Sequence, residues 1–193
     1  MSRTAKIERN TNETQIALEL NLDGVGSYDI DTGIGFLDHM LSHLSKHSRI
    51  DLKLKAKGDL QVDAHHTVED VAICLGQCLD KALGNKKGIS RYGNSSVPME
   101  ESLAKVSIDL SGRPFCVYNV KYNSEKIGDF DVECIEEFLR AFTNNAKCNL
   151  HIEVPYGTNS HHIAEAIFKA IGKALCIAVE ITGTEIPSTK GTL

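Results

Sequence analysis

The chain has 193 residues, 41% of them hydrophobic and 24% charged, ordinary values for a globular protein able to build a sizeable core. Its net charge of −5 argues against broad binding to nucleic acid or to an acidic membrane, so any anionic ligand must be held by a local basic cluster. The opening MSRTAKIERN has no apolar secretory region, no run approaches the ~18 apolar residues of a membrane span, and the six cysteines form no CxxC; a cytoplasmic protein with reduced core thiols is predicted.

In chain order, TAKIER (4–9) reads as a short polar strand. Ile16, Leu18, Leu20 and Leu22 alternate with mostly polar neighbours, the pattern of a half-buried strand. DGVGSYDIDTG is turn-rich, and GFLDHMLSHLSKH (35–47) has helical spacing. Ile50, Leu52, Leu54 and Ala56 alternate with charged residues as another strand. After the connector GDLQVDA, residues 66–83 form a helix with Val68, Ala72, Leu75, Leu79 and Ala82 on one face. The second half runs in the same order: strands at Val106–Leu110 and PFCVYNVKY, a helix over 131–146, a strand at Cys148–Val154 and a helix over 161–178.

The repeat survives subtraction. A shift of 98 carries Ile50, Leu52, Leu54 and Ala56 onto Cys148, Leu150, Ile152 and Val154, and a shift of 96 carries His65, His66 and Glu69 onto His161, His162 and Glu165. We read an internally duplicated α+β protein of two β-β-α-β-α halves, 1–92 and 93–193, with helices on one face of mixed sheets, packed as one unit. The second half ends in a C-terminal tail.

The repeated motif carries the chemistry. In DAHHTVED and SHHIAEA a histidine precedes a carboxylate by four residues, so His65 with Glu69, and His161 with Glu165, share a helix face and can share one cation. The neighbouring His66 and His162 point about 100° away and can serve a second ion. One HHxxE turn alone reads as a surface helix with an i,i+4 ion pair; two at equivalent places point to metal. A fourth ligand is suggested by the first helix, where His39 shifts by 98 onto Glu137. The sets predicted are His65, Glu69, His162 and Glu137, and His161, Glu165, His66 and His39, within one chain or between chains. Imidazole and carboxylate without thiolate suit Mn, Fe, Co, Ni or Zn. His43 continues the stripe from His39 and reads as a packed or surface histidine, and His47, at the helix end, is placed for proton transfer. Arg91, Arg113 and the tail residues Ser188, Thr189 and Lys190 offer cations and hydroxyls that suit a phosphate.

Together, GFLDHML, DAHHTVEDVAICLG, DLSGRPF, NSHHIAEAIFKAIGKAL and IPSTKGTL resemble the imidazoleglycerol-phosphate dehydratase family over essentially the whole chain. The resemblance implies dehydration of imidazole glycerol phosphate to imidazole acetol phosphate in histidine biosynthesis. It implies two Mn(II) ions per active site, built at subunit contacts of a twenty-four-subunit shell. It makes His39, His65, His66, Glu69, His161, His162 and Glu165 metal ligands, with His39 adjoining the substrate as well. Glu13, His47, Arg91, Arg113, Lys169, Ser188, Thr189 and Lys190 become substrate contacts. Glu137 stands where many members carry a metal-binding histidine, the position the duplication also selects. The expected chemistry runs through a metal-bound imidazolate, with Glu13 as the proton-transfer carboxylate, His47 as a second participant, and Glu69 and Glu165 at the reacting centre. A dinuclear metallohydrolase and a non-enzymatic metal-binding protein are the rival readings.

Overall fold

Residues 3–193 are described by a computed structural model. The first half contains β1 (Thr4–Asn10), β2 (Thr14–Asn21), β3 (Tyr28–Asp31), α1 (Gly35–Ser48), β4 (Asp51–Gly58) and α2 (His65–Leu83). The second contains β5 (Tyr92–Met99), β6 (Ser102–Asp109), β7 (Phe115–Asn119), a small hairpin of β8 (Lys126–Ile127) and β9 (Phe130–Asp131), then α3 (Glu133–Ala146), β10 (Asn149–Tyr156) and α4 (Ser160–Ala178). The two main sheets have orders β1-β2-β4-β3 and β5-β6-β10-β7. Each is antiparallel except at its last strand, where β3 lies parallel to β4 and β7 parallel to β10, joined through a helical crossover.

The duplicated α+β architecture is as expected, but each main sheet has one strand more than the apolar pattern predicts, and the second half adds the β8–β9 hairpin. β3, inside the turn-rich segment, is a short exposed edge strand with only Ile30 half-buried and apolar. β5 is an edge strand carrying Gly93 and Pro98, residues of low strand propensity that an edge tolerates. With both restored the halves superpose in register. Leu52 pairs with Leu20 and Tyr28, and Leu150 pairs with Ile108 and Cys116.

The helices of each half cover one face of its sheet, and the two helical layers face each other. α2 packs on β1 and β2, α4 on β5 and β6, α1 against α4, and α2 against α3. Alternation in β2, β4, β6 and β10 turns Leu18, Leu54, Ala104 and Leu150 inward to meet Leu41, Leu79, Phe138 and Phe168 in one continuous core. Each fully buried leucine or phenylalanine contributes about 1.5–3 kcal/mol relative to exposure. The helix crossings are set by two equivalent glycines. A Cβ on Gly76 would lie 2.6 Å from the Phe142 carbonyl oxygen of α3, and one on Gly172 would lie 2.9 Å from that of Leu44 in α1. All six cysteines are unpaired thiols, four of them buried. No helix among the described residues is long and apolar enough to cross a membrane.

Candidate active site

The start of α4 is fixed by Asn159, whose side-chain oxygen accepts from the backbone N–H groups of His161 and His162 at 2.9 and 3.3 Å. This cap puts both histidines in the first turn and Glu165 one turn on. α1 runs beside α4 and presents His39, His43 and His47 at successive turns. Three imidazoles converge on one carboxylate. Glu165 Oε2 lies 3.3 Å from His161 Nε2 and 3.4 Å from His39 Nε2, and its Oε1 lies 3.5 Å from His43 Nε2. The ligand atoms of His39, His43 and Glu165 all fall within 4.8 Å of one another, close enough to share one cation.

The electrostatics favour that use. Burial pushes the Glu165 carboxyl up, but the Lys169 ammonium, 2.5 Å away, and the imidazoles of His43 and His39 outweigh it and hold the pKa at about 2. Burial pushes His43 down to about 4, leaving it at neutral pH as the uncharged imidazole a metal requires. His43 thus belongs to the cluster instead of standing as a packed surface histidine. Its i+4 spacing from His39 was the available signal. His47 stacks on His43 at 6.1 Å between ring centroids, and burial lowers its pKa too.

At the equivalent place in the first half, Asp63 accepts from the His65 backbone N–H at 2.7 Å and sets the start of α2. His65, Glu69 and Glu137 occupy the positions of His161, Glu165 and His39. Glu69 and Glu137 are exposed and make no side-chain hydrogen bond or ion pair among the described residues. Ala141 and Ile73 stand where the other cluster has His43 and Lys169. This donor set therefore has two carboxylates and no adjacent ammonium.

The remaining histidines turn elsewhere within the chain. His66 Nδ1 lies 3.0 Å from Asp59 Oδ2, which raises its pKa, and its Nε2 lies 3.8 Å from Glu13 Oε1. His162 Nδ1 lies 2.7 Å from Glu101 Oε2. The backbone N–H of Asn159 and the His162 ring drive the Glu101 carboxyl far below the usual range. Neither His66 nor His162 bonds to Glu69 or Glu165. Glu101 escaped sequence reasoning, although a shift of 88 carries Glu13 onto it, the same shift that relates β2 to β6.

The basic residues gather at the far end. Arg91, at a left-handed φ of 72°, donates to Asp109 at 2.7 and 3.1 Å and to the Pro187 carbonyl at 2.9 Å, leaving two of its five N–H groups for an anion. Arg113 is exposed on the turn after β6, and the Ser188 hydroxyl accepts from the Lys190 N–H at 3.2 Å, with Thr189 and Lys190 exposed. The Arg91 N–H bonds the Ala178 carbonyl at the C-terminal end of α4. Ala178 lies thirteen residues after Glu165 along α4, roughly 20 Å at the α-helical rise. A groove of about 700 Å³ on the outer face of the first sheet, lined by Lys6, Tyr28 and Lys53, contains none of these residues, whereas Glu13 and Asp59 border a shallow depression of about 250 Å³.

Fold and site define a duplicated α+β protein with one His/carboxylate cluster of metal-binding chemistry, at Glu165, and a repeat-related set of donor residues at His65, Glu69 and Glu137. The comparisons with known proteins place it further. The model of the imidazoleglycerol-phosphate dehydratase family matches residues 32–175. The imidazoleglycerol-phosphate dehydratase of Clostridium acetobutylicum is 57% identical over 195 residues, covering 99% of this chain and 98% of the relative. That of Clostridium botulinum is 58% identical over 191 residues, covering 98% and 97%. The crystal structure of the Staphylococcus aureus enzyme aligns with a TM-score of 0.85 at 41% identity, over 93% of this chain and 99% of that one. The Pyrococcus furiosus structure aligns with a TM-score of 0.85 at 34% identity, over 97% and 100%. The chain belongs to the imidazoleglycerol-phosphate dehydratase family, and so to the hydro-lyases.

Proposed function

We propose that this protein dehydrates imidazole glycerol phosphate to imidazole acetol phosphate in histidine biosynthesis, in the cytoplasm, with two Mn(II) ions at each active site and the sites formed where copies of the chain meet in a twenty-four-subunit shell. The observation that carries the reading is the convergence of His39, His43 and His161 on Glu165. Imidazole nitrogens around a buried carboxylate fit a borderline divalent cation. His39, His161 and Glu165 would hold one ion, with His43 at its edge. His65, Glu69 and Glu137 would hold the other. His66 and His162, held away from these sets within the chain, would complete them across a subunit contact.

The separation of the two ends supports the same assembly. Between ring and phosphorus the substrate has only a few bonds of ~1.5 Å, so it spans less than about 10 Å. It cannot reach from Glu165 to Arg91 of one chain. A second copy would supply Arg91, Arg113, Ser188, Thr189 and Lys190 to grip the phosphate, with Lys169 approaching from the Glu165 side. That grip fixes the reacting carbons against the carboxylates.

The bound cations would supply Lewis acidity, drawing electron density into the substrate's ring. The chain's own groups move the protons. Glu13, exposed and within 3.8 Å of His66 Nε2, takes the carbon-bound proton. His47, or Glu13 once protonated, delivers a proton to the departing hydroxyl, which leaves as water. The enol that remains becomes the ketone by proton transfer to carbon.

The test is turnover of imidazole glycerol phosphate by metal-stripped protein, with and without added Mn(II), following ketone. Ketone that appears only with metal supports the proposal. Metal binding without ketone would move the function to hydrolysis or storage, and ketone formed equally without metal would overturn the metal reading.

A further inference from the structure

We propose that Glu101 is a positioning residue: its carboxylate holds the Nδ1–H of His162, so that Nε2 of the ring is the nitrogen left bare for a metal ion. The inference rests on the reading of His162 as a ligand and adds a residue, and a division of labour, which that reading does not contain.

Glu101 sits in the tight turn between β5 and β6, immediately before Ser102. Its Oε1 accepts three hydrogen bonds, from the backbone N–H of Asn159 at 2.7 Å, the backbone N–H of Thr158 at 3.1 Å and the Ser102 hydroxyl at 2.9 Å. With Oε1 fixed in this way, Oε2 has one place to be, 2.7 Å from His162 Nδ1. A carboxylate only accepts, so Nδ1 carries the proton. A neutral imidazole has one N–H, so the lone pair is then on Nε2. The same carboxylate also braces the loop whose Asn159 side chain caps α4, tying the ring's orientation to the helix that carries it.

The first half solves the problem differently. His66 Nδ1 faces Asp59, on the loop after β4, at 3.0 Å. Glu13, the repeat equivalent of Glu101, lies instead 3.8 Å from His66 Nε2, the opposite edge of the ring. The duplication has kept a carboxylate at the same turn in both halves and set the two to face opposite nitrogens. Glu101 stands behind its histidine and orients it. Glu13 stands in front and remains free for proton transfer, because Asp59 has taken over the orienting task.

The test is Glu101→Gln. The glutamine oxygen keeps the bonds from Thr158 and Asn159, but its amide N–H now meets Nδ1. The ring's proton is thereby driven to Nε2, where it blocks coordination. Metal-stripped protein titrated with Mn(II), with free ion followed by electron paramagnetic resonance, should bind two ions per chain when unaltered. In E101Q one of the two should weaken by about 10–100-fold, with the melting temperature unchanged, while Asp59→Asn should weaken the other. Unaltered affinity for both ions in E101Q would overturn the inference, whether or not its melting temperature falls, since a fall alone marks a purely structural brace. No binding by the unaltered protein would overturn the metal reading and this inference with it. Should E101Q lose its fold, Glu101→Asp keeps the charge and draws Oε2 back by a methylene. The same selective weakening, or its absence, then decides.

Discussion

Two carboxylates follow the histidines of DAHHTVED at i+4, and the fold gives them different work. Glu69 is exposed on the cluster face. Asp70 is buried, accepts from Arg9 Nε at 2.8 Å and from the Thr14 hydroxyl at 2.5 Å, and ties β1 and β2 to α2. Asp70→Asn removes the charge from that network and should destabilise the protein by about 2–3 kcal/mol, read by denaturant unfolding, with metal content per folded chain unchanged. Glu13→Gln should do the reverse. Glu13 is exposed and holds nothing in the core, so stability and Mn(II) content stay while turnover falls about 10²–10⁴-fold; unchanged turnover would remove it from the mechanism. Spacing cannot separate Glu69 from Asp70, because both satisfy i+4. Nor can the stripe of Val68, Ala72, Leu75, Leu79 and Ala82, which lies about 100° from Glu69 and further still from Asp70; the packing of α2 on β1 and β2 decides. His39, His161 and Glu165 were legible from repeat and motif. His43 and Glu101 were harder, because the first looks like any helix histidine and the second is marked only by its repeat partner.

The elements were read from apolar period, and the reading succeeded where burial is one-sided. The four helices and the central strands β2, β4, β6 and β10 announce themselves because each has one face in the core. The edge strands β3 and β5 have little to bury, so their period is weak. Gly93 shows why β5 departs from strand composition: a Cβ there would clash with the Ala174 carbonyl of α4. Gly76 and Gly172 carry a sharper consequence. In an open helix, Gly→Ala gains about 1 kcal/mol. Here the added methyl meets a backbone carbonyl at the crossing, and overpacking of this kind costs about 1–3 kcal/mol. Gly76→Ala and Gly172→Ala should each lower the melting temperature, and by similar amounts, since the crossings are equivalent. A rise in either would show that the helices can move apart freely.

At the scale of the whole molecule, duplication yields two related donor sets but not two equal ones. The Glu165 set has histidines and a neighbouring lysine. The Glu137 set has two carboxylates and no ammonium beside them. The motifs made the candidate residues of both sets legible. They could not show that His66 and His162 turn away within the chain, or that α4 spans the gap between the acidic and basic ends, because both depend on how the layers pack. These two facts lead to the central claim that one active site takes parts from two copies of the chain. Its most direct measurement is complementation. His161→Ala disables the metal end and Arg113→Met the basic end, and both residues are accessible enough to change without loss of fold. Each variant alone should be inactive. Protein reassembled from an unfolded mixture of the two should regain turnover, because some contacts then join an intact Glu165 cluster to an intact basic end. Mixed assemblies that form and remain as inactive as either parent would show that the site is not shared between copies.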